Sequence, residues 1–136
     1  MKDIIDLIAR IFLAFIFLFE AYDSIIHFKG TKASMTNYGI TWNQDMLLSV
    51  CIFLLIVGSV LVLIGYRSTF GAILLLLYFI PVTFIIHSWW NDPIDIKRIQ
   101  SIFFMKNIAI IGGLLMVVVN GSGKFSVRRL FATTKV

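Results

Sequence analysis

The chain has 136 residues, a length that suits one domain. Hydrophobic residues make up 60% of it and charged residues 14%, with a mean hydropathy of +0.96, whereas a soluble domain carries ~45–50% apolar and ~25% charged residues. So few charges cannot cover the surface of a water-soluble domain of this size, which excludes that class and leaves an integral membrane protein.

The formal charge is +5 and the sequence pI about 9.6. The basic residues flank apolar segments, where they suit anionic head groups and topology signals; the continuous basic face that a nucleic-acid partner needs is missing, and none is expected. With one cysteine, Cys51, no intrachain disulfide can form. Its place in an apolar run predicts a buried, inert thiol.

Spanning helices need about 20 apolar residues to cross ~30 Å of hydrocarbon. Four such segments stand in the sequence, at about 3–27, 46–66, 69–90 and 103–120. The expected fold is therefore all-α, an integral membrane four-helix bundle occupying 1–120, followed by a basic cytoplasmic tail at 121–136. The first segment is interrupted by Glu20 and Asp23 and has no Ala-x-Ala site behind it, so it reads as a helix rather than a signal peptide. Tyr66-Arg67-Ser68 leaves room only for a tight antiparallel hairpin between the second and third segments.

With four spans, both termini and the Arg67 turn share a side. That side carries Lys2, Arg67, Lys124, Arg128, Arg129 and Lys135, against Lys29, Lys32, Lys97 and Arg98 on the other. The basic excess predicts an N-in, C-in orientation. The first outer loop, 28–45, holds Met35, Tyr38, Ile40 and Trp42 around Gly39, the pattern of a short interfacial helix ended by glycine. The second outer loop turns at Asn91-Asp92-Pro93, after the belt-type aromatics Trp89 and Trp90.

The first helix is the most informative. At 100° per residue, Asp6, Arg10, Leu13, Phe17, Glu20, Asp23, Ser24 and His27 fall within about 140° of arc. A charge near the bilayer centre costs at least ~2.5 kcal/mol, so this face should avoid lipid. Asp6 and Arg10 form an i, i+4 structural ion pair, either snorkelling at the inner end or turned inward. Glu20 is the deepest acid. His87 closes the third helix at the outer level, beyond Pro81; Lys106 and Asn107 open the fourth, where Ala109-x-x-x-Gly113 permits close packing. Gln100 is aligned with Asn107 on the same rim.

Glu20, Asp23, His27, His87, Lys106 and Asn107 thus converge from three helices at one depth, as the candidates for an outward-opening polar pocket. Acid, imidazole, amine and amide together suit the polar head of a lipophile such as a quinone, whose carbonyls take donors and whose reduction needs a nearby acid. No catalytic residue is singled out. Glu20, Asp23, His27 and His87 also form a secondary metal-ligand set, and His27 with His87 a remote bis-His haem pair, although the Glu-x-x-His pattern of di-iron bundles is absent. Gly121-Ser122-Gly123-Lys124 lacks the first Gly and the Ser/Thr of a P-loop and reads as a helix stop.

The sequence resembles the DoxX family of small four-helix bacterial membrane proteins over nearly its whole length. The resemblance rests on Arg10 in Leu-Ile-Ala-Arg, the Phe17-Leu18-Phe19-Glu20-Ala21-Tyr22-Asp23 stretch, Asn37-Tyr38-Gly39-Ile40, Ile64-Gly65-Tyr66-Arg67, and Phe104-Met105-Lys106-Asn107 through Asn120-Gly121-Ser122-Gly123. It implies an inner-membrane location, links to redox complexes such as thiosulfate:quinone oxidoreductase and quinol oxidase, and a quinone as ligand. The expected function is a redox-linked membrane subunit with a quinone or similar lipophile at the outer rim. The alternative is a noncatalytic anchor or assembly partner of a larger complex, and a homo-oligomer is compatible with either.

Overall fold

The helical segments follow from where the apolar runs stop. In the computed structural model, residues 1–133 are described, and Lys135 lies outside them. Helix α1 spans Lys2–Ile26, α2 Phe28–Asn37, α3 Gln44–Ile64, α4 Ser68–Ile86, α5 Ile94–Asn120 and α6 Val127–Thr133, with a 3-10 turn at Trp89–Asn91; no strand occurs among the described residues.

Glycine and one strained turn set the α3–α4 hairpin. Gly65 ends α3 at φ 70° and Arg67 enters α4 at φ 48°, so two left-handed residues reverse the chain. The two helices then run close together. A Cβ at Gly58 would meet the Gly71 carbonyl oxygen at 2.9 Å, and one at Gly71 would meet that of Gly58 at 2.8 Å. Bare backbone at both positions is what allows this approach.

Helix α1 buries Arg10, Ala14, Phe17, Ala21 and Ser24. Their alternating spacing of four and three residues is a heptad seam. It packs on α3, which packs on α4, which packs on α5, while α1 and α5 scarcely touch. Phe17 meets Phe79 of α4 edge-on, with ring centroids 5.0 Å apart, amid Leu55, Val62, Leu75 and Leu114. Aromatic pairs of this geometry contribute ~0.5–1.5 kcal/mol beyond their buried area.

Helices α3 and α5, and α4 together with the turn after it, are long and apolar enough to cross a membrane. Helix α1 has the length but carries Arg10, Glu20 and Asp23. Two boundaries differ from expectation. Helix α4 stops at Ile86 rather than near 90, and α5 starts at Ile94 rather than 103. Hydropathy reports the apolar stretch, whereas 94–102 is helical but amphipathic, with Asp95, Lys97, Arg98 and Gln100 between isoleucines.

The first loop does contain a short helix, α2, followed by Gly39 at φ 79°. Gln44 holds that loop down, donating to the Ile40 carbonyl at 2.6 Å and to Thr36 Oγ1 at 2.8 Å. Lys32 Nζ reaches Asp45 Oδ1 at 2.5 Å. Met35 is buried rather than offered to an interface, while Trp42 is exposed.

Candidate functional site

Glu20 lies on the flank of the α1 seam, one residue from buried Ala21, and is half-buried. Its Oε1 accepts a hydrogen bond of 2.7 Å from the Tyr78 hydroxyl of α4. The pair joins two helices within their apolar stretches. Tyr78 was not singled out from the sequence, although a hydroxyl amid Leu74–Leu77 and Phe79–Ile80 is the signal that would have found it.

His87 Nδ1 hydrogen bonds to Gln100 Oε1 at 2.8 Å, and its ring lies 5.8 Å from that of Phe103. Asn107 donates to Thr83 Oγ1 at 3.2 Å; Thr83, fully buried, in turn donates to the Phe79 carbonyl at 2.7 Å. Three interhelical polar contacts therefore run along α4, one to α1 and two to α5. The other expected members stand apart. Asp23 and His27 pair with each other at 3.1 Å, with both side chains more than half exposed. Lys106 is exposed, its ammonium 5.5 Å from the Phe103 ring. The face that Lys106 shares with Ala109, Gly113 and Val117 turns inward only at its far end, where Val117 is buried and Gly113 lies against Leu13 of α1, while Ala109 and Lys106 are exposed.

Among the described residues, no three of His, Cys, Asp and Glu are gathered closely enough in this structure to hold an ion. A rotation around α1 turns two of the candidate ligands away: the seam buries Phe17, Ala21 and Ser24, which leaves Asp23 and His27 on the outward flank.

At the other end of α1, Arg10 is 1% exposed. Its Nε donates to Asp6 Oδ2 at 2.9 Å, Nη1 to the carbonyls of Val62 and Leu63 at 3.3 and 3.1 Å, and Nη2 to that of Phe125 at 2.5 Å. The guanidinium thus ties α1 to the end of α3 and to the segment after α5. Asp6 Oδ2 also accepts the Gly123 amide at 3.0 Å, and Ser122 donates to the Gly65 carbonyl at 3.0 Å. Gly65 makes room for this: a Cβ there would meet Arg10 Nη1 at 2.7 Å. Removing one partner of such a buried charged network typically costs ~3–5 kcal/mol. The i, i+4 spacing pointed to the Asp6–Arg10 pair, but backbone carbonyls from distant segments leave no trace in the sequence.

Long apolar helices packed side by side, with ionisable groups at the helix seams, define an integral membrane protein of the all-α class. The DoxX family model matches residues 5–88, and the chain belongs to that family. It is 27% identical over 130 residues to the inner membrane protein YqjF of Escherichia coli, covering 96% of this chain and 94% of the relative. The inner membrane protein YphA of the same organism is 26% identical over 129 residues, covering 94% and 91%. A surfeit locus protein 4 homolog of Schizosaccharomyces pombe is 33% identical over 91 residues, covering 65% of this chain and 29% of that protein. No solved structure matches the chain. The protein is a multi-pass inner-membrane protein seated in the lipid bilayer.

Proposed function

We propose that the protein binds the polar head of a quinone or a similar lipophile at the α1–α4–α5 seam, as the membrane subunit of a redox-linked complex. In this reading α1 is a fourth span, both termini are cytoplasmic, and the site opens at the outer rim. The observation that carries it is the Glu20–Tyr78 hydrogen bond within the apolar stretches of two helices. An intramembrane carboxyl group with a phenol partner is costly to maintain for packing alone and marks a ligand or proton path.

The residues suit a quinone head. Asn107 Nδ2 keeps a second N–H for a carbonyl oxygen, Tyr78 Oη can turn its single proton from Glu20 to the head group, and Glu20 supplies the acid–base group at that hydroxyl. A bound quinone would supply two-electron, two-proton redox chemistry. The chain's own part is to orient the head group and exchange protons at Glu20 Oε1 and Tyr78 Oη, with electrons supplied by a partner protein. Asp23 and His27 are paired and exposed one turn outward, and in this reading they pass protons between Glu20 and water. Lys106 belongs to the rim rather than to the binding seam.

A test is the quinone content of protein purified gently from membranes. The wild type should retain quinone at a fixed ratio to protein, and Glu20→Gln and Tyr78→Phe should lose most of it while remaining folded. Equal retention by all three would refute the reading. A second reading, a noncatalytic partner of a larger complex or homo-oligomer, is favoured by α5, most of whose span lies unburied. Its mark is a stable complex that forms equally well with and without quinone.

A further inference from the structure

A cleft of about 950 Å³ lies at the end of the molecule away from Glu20, between the start of α1 and the end of α5, and takes no part in the function proposed above. It exists because α1 and α5 pack on α3 and α4 but hardly on each other. Lys2, Lys124, Arg128 and Arg129 line it, together with Asp3 and Asp6. The two acids are engaged with the chain. Asp6 Oδ2 accepts from Arg10 Nε and the Gly123 amide, and Asp3 Oδ1 accepts the Lys124 amide at 3.2 Å. Lys124 Nζ stands 3.9 Å from Asp3 Oδ2, close enough to be positioned but still largely exposed. Lys2 and Arg128 are exposed. The lining cations therefore outnumber the acids, and both acids are already held by amides and cations of the chain.

The cleft also has apolar walls. Ile5 of α1 and Met116 of α5 line it and are 60% and 63% exposed. A basic rim above an apolar crevice between two long helices matches an amphiphile with an anionic head. We propose that this cleft seats an anionic phospholipid, its phosphate held by Lys2, Lys124 and Arg128 and its acyl chains lying along Ile5 and Met116. A lipid phosphate fits better than a free one, because Ile5 and Met116 continue the apolar sides of the helices out of the cleft. The assignment is independent of the Glu20 seam.

The test is lipid binding to the full chain in detergent, followed by native mass spectrometry, with phosphatidylglycerol, phosphatidylcholine and inorganic phosphate as probes. The wild type should bind phosphatidylglycerol at least about tenfold more tightly than phosphatidylcholine, since each surface cation contributes roughly fivefold toward anionic lipid. The Lys2→Gln, Arg128→Gln double variant should lose most of that preference, with its helical circular dichroism retained. Lys97→Gln with Arg98→Gln, a basic pair at the far end, should leave it unchanged. Equal binding of the two lipids by the wild type overturns the proposal and does not depend on any variant folding. So does an equal loss in the Lys97, Arg98 variant, which would show general attraction. Displacement of phosphatidylglycerol by millimolar inorganic phosphate would assign the cleft to free phosphate instead.

Discussion

Glu20 and Arg10 occupy the same helix but solve the same problem differently. Arg10 is buried and fully engaged, its charge spread over Asp6 and three backbone carbonyls. Glu20 is half-buried and carries one hydrogen bond to a side chain, from Tyr78. A carboxyl group this far into an apolar helix needs a cation, a proton or a donor beside it; a phenol fills that place, and Lys106 is exposed. The energetic expectation follows. In a double-mutant cycle of Glu20→Gln and Tyr78→Phe, read by thermal unfolding in detergent, the coupling should be about 1 kcal/mol, the scale of interhelical hydrogen bonds in membranes. Adding Lys106→Met to Glu20→Gln should restore none of the loss. A clear rescue by Lys106→Met would mean that the ammonium reaches Glu20 after all. Both key residues of α1 were legible as polar interruptions of an apolar helix. Their partners were not, since a carbonyl or a lone tyrosine on another helix has no fixed spacing from them.

At the scale of elements, two kinds of contact organise the helices. The α1 seam of Arg10, Ala14, Phe17, Ala21 and Ser24 follows the 3.5-residue repeat, and the sequence-derived face overlapped it at Arg10, Phe17 and Ser24. The face drawn from ionisable residues was rotated toward Glu20, Asp23 and His27, because charge alone does not say which flank of a stripe is covered. The α3–α4 contact depends instead on missing side chains at Gly58 and Gly71. Glycines spread over an apolar sequence do not announce which of them meet. Gly71→Ala should therefore destabilise by about 1–3 kcal/mol through overpacking. Gly112→Ala, whose new methyl meets nothing within 4 Å, should be neutral or stabilising by up to ~1 kcal/mol. Melting temperatures of the two variants in one detergent test the contrast; similar shifts would place the α3–α4 contact elsewhere. Helix boundaries were legible only where hydropathy and helicity coincide, which is why α3 was read closely and the amphipathic start of α5 was not.

For the whole molecule, the composition alone fixed the membrane class, and the family follows from the sequence as well. The polar groups gather at two ends of the helices: the Arg10 network and basic cleft at one, and the Glu20–Tyr78, His87–Gln100 and Asn107–Thr83 contacts toward the other. If α1 spans with the rest, a reporter fused to the C-terminus should be active only in the cytoplasm, and one placed within 29–45 only outside. The opposite pattern would invert the molecule and move the Glu20 seam to the cytoplasmic half. The central claim is that a lipophile's head lies between α1 and α4 at Glu20 and Tyr78. A photoactivatable quinone analogue, crosslinked in native membranes and mapped by mass spectrometry, tests this most directly. The label should fall on peptides carrying Glu20 and Tyr78, be displaced by excess unlabelled quinone, and be lost in Tyr78→Phe. Labelling confined to the basic cleft near Lys124, or labelling that excess quinone does not displace, would contradict it.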